Sequence, residues 1–125
     1  MIVLLLSSIA LMNPCERAGA QFESTQCAVN DFKRADKELN VQFRSSLARA
    51  AKRDQSLATL PSDGRPGYTE VLRGAQRSWL VFRDEHCKVE GYWGRGGTIE
   101  PMLVNFCLAR VTRERTEQLR KMWRR

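Results

Sequence analysis

Four cysteines, one histidine and a scatter of carboxylates are the residues of this chain that could do chemistry. The cysteines are Cys15, Cys27, Cys87 and Cys107, and the histidine is His86. A zinc site would call for cysteine and histidine ligands at short regular spacings, and no Cys-x-x-Cys pair occurs. A nucleophile would need a base within hydrogen-bond reach. Asp84 and Glu85 precede His86, but adjacent positions of a helix do not face each other, so His86 reads as a surface residue near a helix end. Glycoside cleavage would need two acids converging across a cleft, and no spacing points to such a pair. "GYWGRGG" lacks the spacing and the strand-to-helix context of a phosphate-binding loop. The expectation is a protein with no catalytic residue, no metal and no cofactor.

What remains for the cysteines is disulfide chemistry, which requires an oxidising compartment. The chain opens with "MIVLLLSSIALM", which has no charged side chain. As a helix it would reach only about 18 Å, too short for a hydrocarbon core of about 30 Å. It fits the apolar segment of a secretory signal better, although the usual basic residue before that segment is missing. The alternatives are a buried N-terminal helix or a lipidated Cys15, but "LMNP" before Cys15 lacks the small residue such processing prefers. No second apolar run of membrane length follows, so no transmembrane segment is expected in the mature protein. Ala18-Gly19-Ala20 also looks like a cleavage site, and cutting there would discard Cys15.

Every charged side chain lies after position 15, so the net charge of +7 belongs to the mature part. A basic surface favours anionic partners. Export argues against nucleic acid and for an anionic component of the cell envelope. The C-terminal "RERTEQLRKMWRR" is cationic, but its glutamates can pair within the helix, so it reads as a solvated face.

Three segments have helical periodicity. The first is expected from about Thr25 to Leu57, capped by Ser24 or Thr25, with Val29, Phe32, Leu39, Phe43 and Leu47 on its apolar face. It ends before "LPSDGRPG", a loop punctuated by proline and glycine. The second is expected from Tyr68 to Glu90, with Val71, Leu72, Ala75, Trp79, Phe82 and Val89 as its stripe. The third should start near Thr98 as N-cap, with Pro101 tolerated in the first turn. Its apolar face would be Met102, Leu103, Phe106, Val111, Leu119 and Met122. No segment alternates like a half-buried strand. Long helices with short connections imply an all-α, antiparallel bundle of three main helices.

Four cysteines allow three pairings, and the helices choose among them. The glycine-rich turn brings Cys87, late in the second helix, to Cys107, early in the third. Cys15 and Cys27 are then left to pair, pinning the N-terminal segment to the first helix. Polar residues on the apolar stripes form the other constellation. Asp36 and Asn40 lie one turn apart on the first helix, Gln76 and Arg83 bracket Trp79 on the second, and Thr112 and Arg115 lead to Leu119 on the third. A buried charge must be paired, so Asp36 should meet Arg83 or Arg115, with Asn40 and Gln76 taking the remaining bonds. Tyr92, Trp93 and Arg95 in "EGYWGRGGTIEPM" are the candidate binding loop, because such residues anchor interfaces; the alternative is a loop whose aromatics fold back on the helix ends.

These strings together resemble the LprI-like lysozyme-inhibitor N-terminal domain family. The family pattern falls here on Cys15, Gln21, Glu23 and Cys27. It continues with Asp36, Leu39 and Asn40, then Gln76, Trp79, Phe82, Arg83, Asp84 and Cys87, and ends with Cys107, Thr112, Arg115 and Leu119. The resemblance runs from Cys15 to about Leu119 and makes Cys15 a residue of the mature protein. Residues 1–14 are then the signal peptide, cut near Met12 to Pro14, and 15–125 the helical domain. It implies a periplasmic or secreted, non-catalytic binding protein, with lysozyme as its expected partner. The shared polar residues, Asp84 included, read as a structural network. The alternative is a basic envelope protein that binds anionic cell-wall polymer or lipid.

Overall fold

The computed structural model describes Cys15 and residues 20–124. The expected signal peptide and its cleavage point lie outside the described residues. Three helices carry the fold: α1 (Gln21–Leu57), α2 (Tyr68–Gly91) and α3 (Glu100–Met122), with a 3-10 turn at Tyr92–Gly94. No strand occurs among the described residues.

Helix α1 begins about a turn earlier than its periodicity suggests. Ala20 is the N-cap and makes no side-chain capping bond. The expected cap Thr25 lies inside the helix, where its hydroxyl accepts a hydrogen bond from Gln21 Nε2 at 3.2 Å. Helix α2 takes its cap from another element. Asp54, in the last turn of α1, accepts the backbone N–H of Tyr68 at 2.7 Å and of Thr69 at 3.1 Å. It also accepts the Thr69 hydroxyl at 2.7 Å. The first N–H groups of a helix have no partner of their own, so one carboxylate both caps α2 and ties it to α1. Helix α3 has Ile99, not Thr98, at its N-cap position, with Pro101 in the first turn. The 3-10 turn leads into α3 through helix-like backbone at Ile99, which leaves no extended residue for a side-chain cap.

Cross-helix contacts give the relative directions. Gln21 reaches Met102 and Asp31 reaches Arg113, so residue numbers ascend together along α1 and α3. Between α2 and its neighbours they run in opposite senses: Arg83 reaches Asp36 and Thr112, while Gln76 reaches Arg115.

The buried face of α1 is Ala28, Ala35, Leu39, Ser46 and Ala50, mostly small side chains that let the helices approach closely. Leu39, Ala50, Leu72 and Leu119 form one core cluster, with Phe43, Leu47, Trp79 and Trp123 packed against it. Cys87, Cys107 and Val111 form a second, with Trp79 and Leu108 against it. Trp79 therefore joins the two. Leu39 and Leu119 are the only large aliphatic side chains fully buried among the described residues. So small a core gains much from covalent staples.

Helix α2 is rotated relative to the expected stripe. Its buried residues are Leu72, Gln76, Arg83, Cys87 and Gly91. Val71, Phe82 and Val89 are 56–66% exposed, and Ala75 is exposed too. The two stripes differ by about one residue, or about 100°. Cys87 sets the rotation: counting back from it by four, eleven and fifteen gives Arg83, Gln76 and Leu72. Met122, expected on the apolar face of α3, is 45% exposed.

Candidate functional site

Both disulfides lie at one end of the bundle. Cys15–Cys27 joins the N-terminal segment to the start of α1, with Cα atoms 5.2 Å apart. Cys87–Cys107 joins the end of α2 to the start of α3, with Cα atoms 5.4 Å apart. The Cys15 sulfur is thus bonded to Cys27 rather than available for a lipid. Between the second pair runs the turn Tyr92–Ile99. The chain is so closely packed here that a Cβ on Gly91, at the end of α2, would collide with Val104, and one on Gly94 would collide with Ile99 and press on Leu103. The Glu100 carboxylate closes the turn by accepting the Gly96 N–H at 3.2 Å.

This braced turn places Trp93 in solvent at 89% exposure, with Tyr92 at 52% and Ile99 at 39%. Arg95 lies over the Tyr92 ring, 4.5 Å from its centroid. Phe22, 79% exposed in the first turn of α1, belongs to the same end. A tryptophan loses only two rotatable bonds when it binds, so one held out on a rigid turn is an efficient contact residue.

The polar residues of the helix stripes meet in two sets around Trp79. Arg83 donates from Nη1 to Asp36 at 3.3 Å and to the Thr112 hydroxyl at 3.4 Å, and from Nε to Asp84 at 3.0 Å. Its guanidinium lies over the rings of Phe32 and Trp79, at 5.2 and 5.3 Å. Arg115 donates from Nε to Gln76 at 3.0 Å and from Nη1 to Gln118 at 3.3 Å. Its Nη2 is buried without a hydrogen-bond partner among the described residues. Burial lowers the Arg115 pKa from its ordinary value. Asp36 therefore meets Arg83, and Arg115 is held by amides. Asn40 is exposed and stands apart from both sets, because it lies one turn beyond the level of Arg83 on α1. The spacing did not reveal Asp31, which takes Arg113 through both oxygens, at 2.8 and 2.9 Å. The Arg113 hydrogen bond holds the Asp31 carboxyl below the usual carboxylate range. Both residues sit outside the apolar stripes, so periodicity carries no sign of the pair.

His86 stacks on Phe82, ring centroids 5.2 Å apart, and its Nε2 lies 2.9 Å from Glu90. Glu90 also accepts a hydrogen bond from Arg110. The Cys107 sulfur completes a compact trio with them, but it is committed to the disulfide, which leaves only two groups able to ligate a metal. Asp84 is bonded to Arg83 and Glu85 to Lys88 at 2.9 Å, so neither orients the imidazole. No nucleophile stands with a base and an orienting group among the described residues.

The fold and this site define a disulfide-stapled, all-α domain whose charged residues brace helices and whose aromatic residues project from one rigid end. A family model described as "Lysozyme inhibitor LprI" matches residues 12–119, and the chain belongs to that family. A protein of Rhizobium meliloti (strain 1021), itself named as uncharacterized, is 39% identical over 108 residues, 86% of this chain and 77% of that one. No solved structure matches. No helix among the described residues is long and apolar enough to cross a membrane.

Proposed function

We propose that this protein is exported and inhibits lysozyme by binding, with its stapled end as the contact face. Two features support the reading: membership of the lysozyme-inhibitor family and a tryptophan 89% exposed on a turn beside a disulfide. Two disulfides fit an oxidising compartment outside the cytoplasm.

Charge shapes the mode of binding. Animal lysozymes are strongly basic and this chain carries +7, so long-range attraction cannot drive the encounter. The stapled end suits a contact made instead by aromatic burial. Of its cations, Lys88 and Arg110 are paired with Glu85 and Glu90, and Arg95 lies over the Tyr92 ring. The test is lysozyme activity on cell-wall substrate, titrated with the oxidised protein at low and moderate salt. Saturable, stoichiometric inhibition that survives salt is expected, and Trp93→Ala should abolish it while the fold persists. Excess protein without effect on several lysozymes would end this reading.

A further inference from the structure

The opposite end of the bundle carries a feature that inhibition does not use. A groove of about 490 Å³ runs between the last turns of α1 and the end of α3. It is lined by Ser45, Arg49, Lys52, Arg53, Ser56 and Trp123, with Ala48 between them. Arg49, Lys52 and Arg53 fall at i, i+3 and i+4, so they share one helix face. Among the described residues none of the three has a carboxylate within ion-pairing distance. Arg34, Arg65, Arg110, Arg113, Arg120 and Arg124 each hold an acid, whereas Arg44, Arg73, Arg77 and Arg95 do not among the described residues; what sets Arg49, Lys52 and Arg53 apart is that three such cations line one groove.

Like charges at this spacing destabilise a helix, and no carboxylate among the described residues forms an ion pair with them here. Trp123 adds a second anomaly, since its indole Nε1–H is buried without a hydrogen-bond partner among the described residues. The Ser56 hydroxyl donates to the Lys52 carbonyl, so its oxygen can only accept, whereas the Ser45 hydroxyl has no bond and can donate. A concave wall of three unpaired cations, one free hydroxyl and an aromatic floor is complementary to a compact, multiply charged oxyanion. A carboxylate has one charge and two coplanar oxygens. A phosphate monoester carries close to two charges and three terminal oxygens, and a phosphate polymer places several charged groups in a row; the forked guanidinium geometry of Arg49 and Arg53 suits either.

We propose that this groove binds phosphate groups. Two sources offer that chemistry, a small free phosphate ester and the repeating phosphates of an envelope polymer. The site is independent of the lysozyme contact and is tested without lysozyme. Pyrophosphate and a short polyphosphate chain are titrated in turn into the oxidised, isotope-labelled protein, and the three tryptophan indole N–H signals are followed. The Trp123 signal should move saturably while those of Trp79 and Trp93 hold still. Hydrogen bonds from charged groups are strong, so Arg49→Gln with Arg53→Gln should weaken binding about tenfold or more. The charge-matched pair Arg73→Gln with Arg77→Gln should change it by less than about twofold, as expected when only screened long-range charge is lost. Lys52→Gln alone gives a milder second test should the double variant fold poorly. Polyphosphate much tighter than pyrophosphate per phosphate group identifies a polymer as the source, and equal affinities identify a small ester. No movement of Trp123 at millimolar ligand overturns the proposal. Equal weakening by the two charge-matched pairs also overturns it, because net charge alone would then account for the binding.

Discussion

The two ends of this bundle are built on opposite terms. The end with the N-terminus of α1 and the turn into α3 is cross-linked twice; its cations Lys88 and Arg110 are paired with acids, and Arg95 lies over the Tyr92 ring. It displays Phe22, Tyr92 and Trp93 to solvent. The end with the α1–α2 loop has no disulfide. It is closed by the bonds of Asp54 to Tyr68 and Thr69, and it leaves Arg49, Lys52 and Arg53 unpaired. An exposed aromatic cluster held still suits a protein contact. Unpaired cations around a groove suit a charged ligand. The difference shows how a domain with few large buried side chains can keep two surfaces apart: covalent bonds hold one end rigid, and hydrogen bonds suffice at the other.

The comparison breaks most sharply when the staples are removed. Replacing Cys87 and Cys107 by serine should destabilise the fold by roughly 3 kcal/mol, because a cross-link spanning 20 residues no longer restricts the unfolded chain. Denaturant unfolding of this variant should show the loss, together with loss of lysozyme inhibition. A smaller but clear effect is expected of Gly94→Ala. Its Cβ meets Ile99 and Leu103, and overpacking of this kind costs about 1–3 kcal/mol. The same unfolding experiment, with lysozyme inhibition alongside, would show whether the turn must keep its shape for Trp93 to act.

Midway between the ends, Asp36→Asn should cost about 1–2 kcal/mol, the range for a hydrogen bond to a charged group discounted for exposure. The Asp36 side chain is 40% exposed, and Arg83 keeps Asp84 and Thr112. Thermal unfolding with no change in midpoint would show that Asp36 does not brace the helices.

Acid should separate the ends without a mutation. The Asp54 pKa is lowered from 3.8, chiefly by the Thr69 hydroxyl, and that of Asp31 is lowered chiefly by Arg113. A carboxylate with a depressed folded-state pKa contributes stability above its unfolded-state value. That contribution disappears as pH falls through the folded-state value. Stability should therefore decline from about pH 4 downward, first at the unstapled end. Hydrogen exchange should detect faster opening of residues 58–72 than of 87–107, and Asp54→Asn should reproduce that pattern at neutral pH. The smallest effect on stability belongs to Trp93→Ala, expected within about 0.5 kcal/mol because the ring contacts mostly solvent. Lysozyme inhibition, by contrast, should collapse.

Much of this was legible in the sequence. Apolar residues at steps of three and four give α1 and α3, and the Pro–Gly and Gly-rich stretches give the connections, because backbone geometry alone forces those signals. With the helices in place, the late position of Cys87 and the early position of Cys107 decide the disulfides. Tertiary structure decided the rest. The rotation of α2 moved Val71, Phe82 and Val89 out of its expected stripe, while Leu72 stayed buried. Val71, Phe82 and Val89 look like core by hydropathy, yet Gln76 and Arg83 are buried because their partners Arg115, Asp36 and Thr112 wait on other helices. Periodicity measures one helix at a time and is blind to such partners. The Asp54 cap, the Asp31–Arg113 pair and the Arg49–Trp123 groove escape it for the same reason: each joins residues from 14 to 82 positions apart. The sequence determined which segments are helices and which cysteines can meet, because both depend on local geometry. Only the packed bundle decided which face of α2 turns inward and where unpaired charge gathers, because those depend on what the other helices bring to the contact.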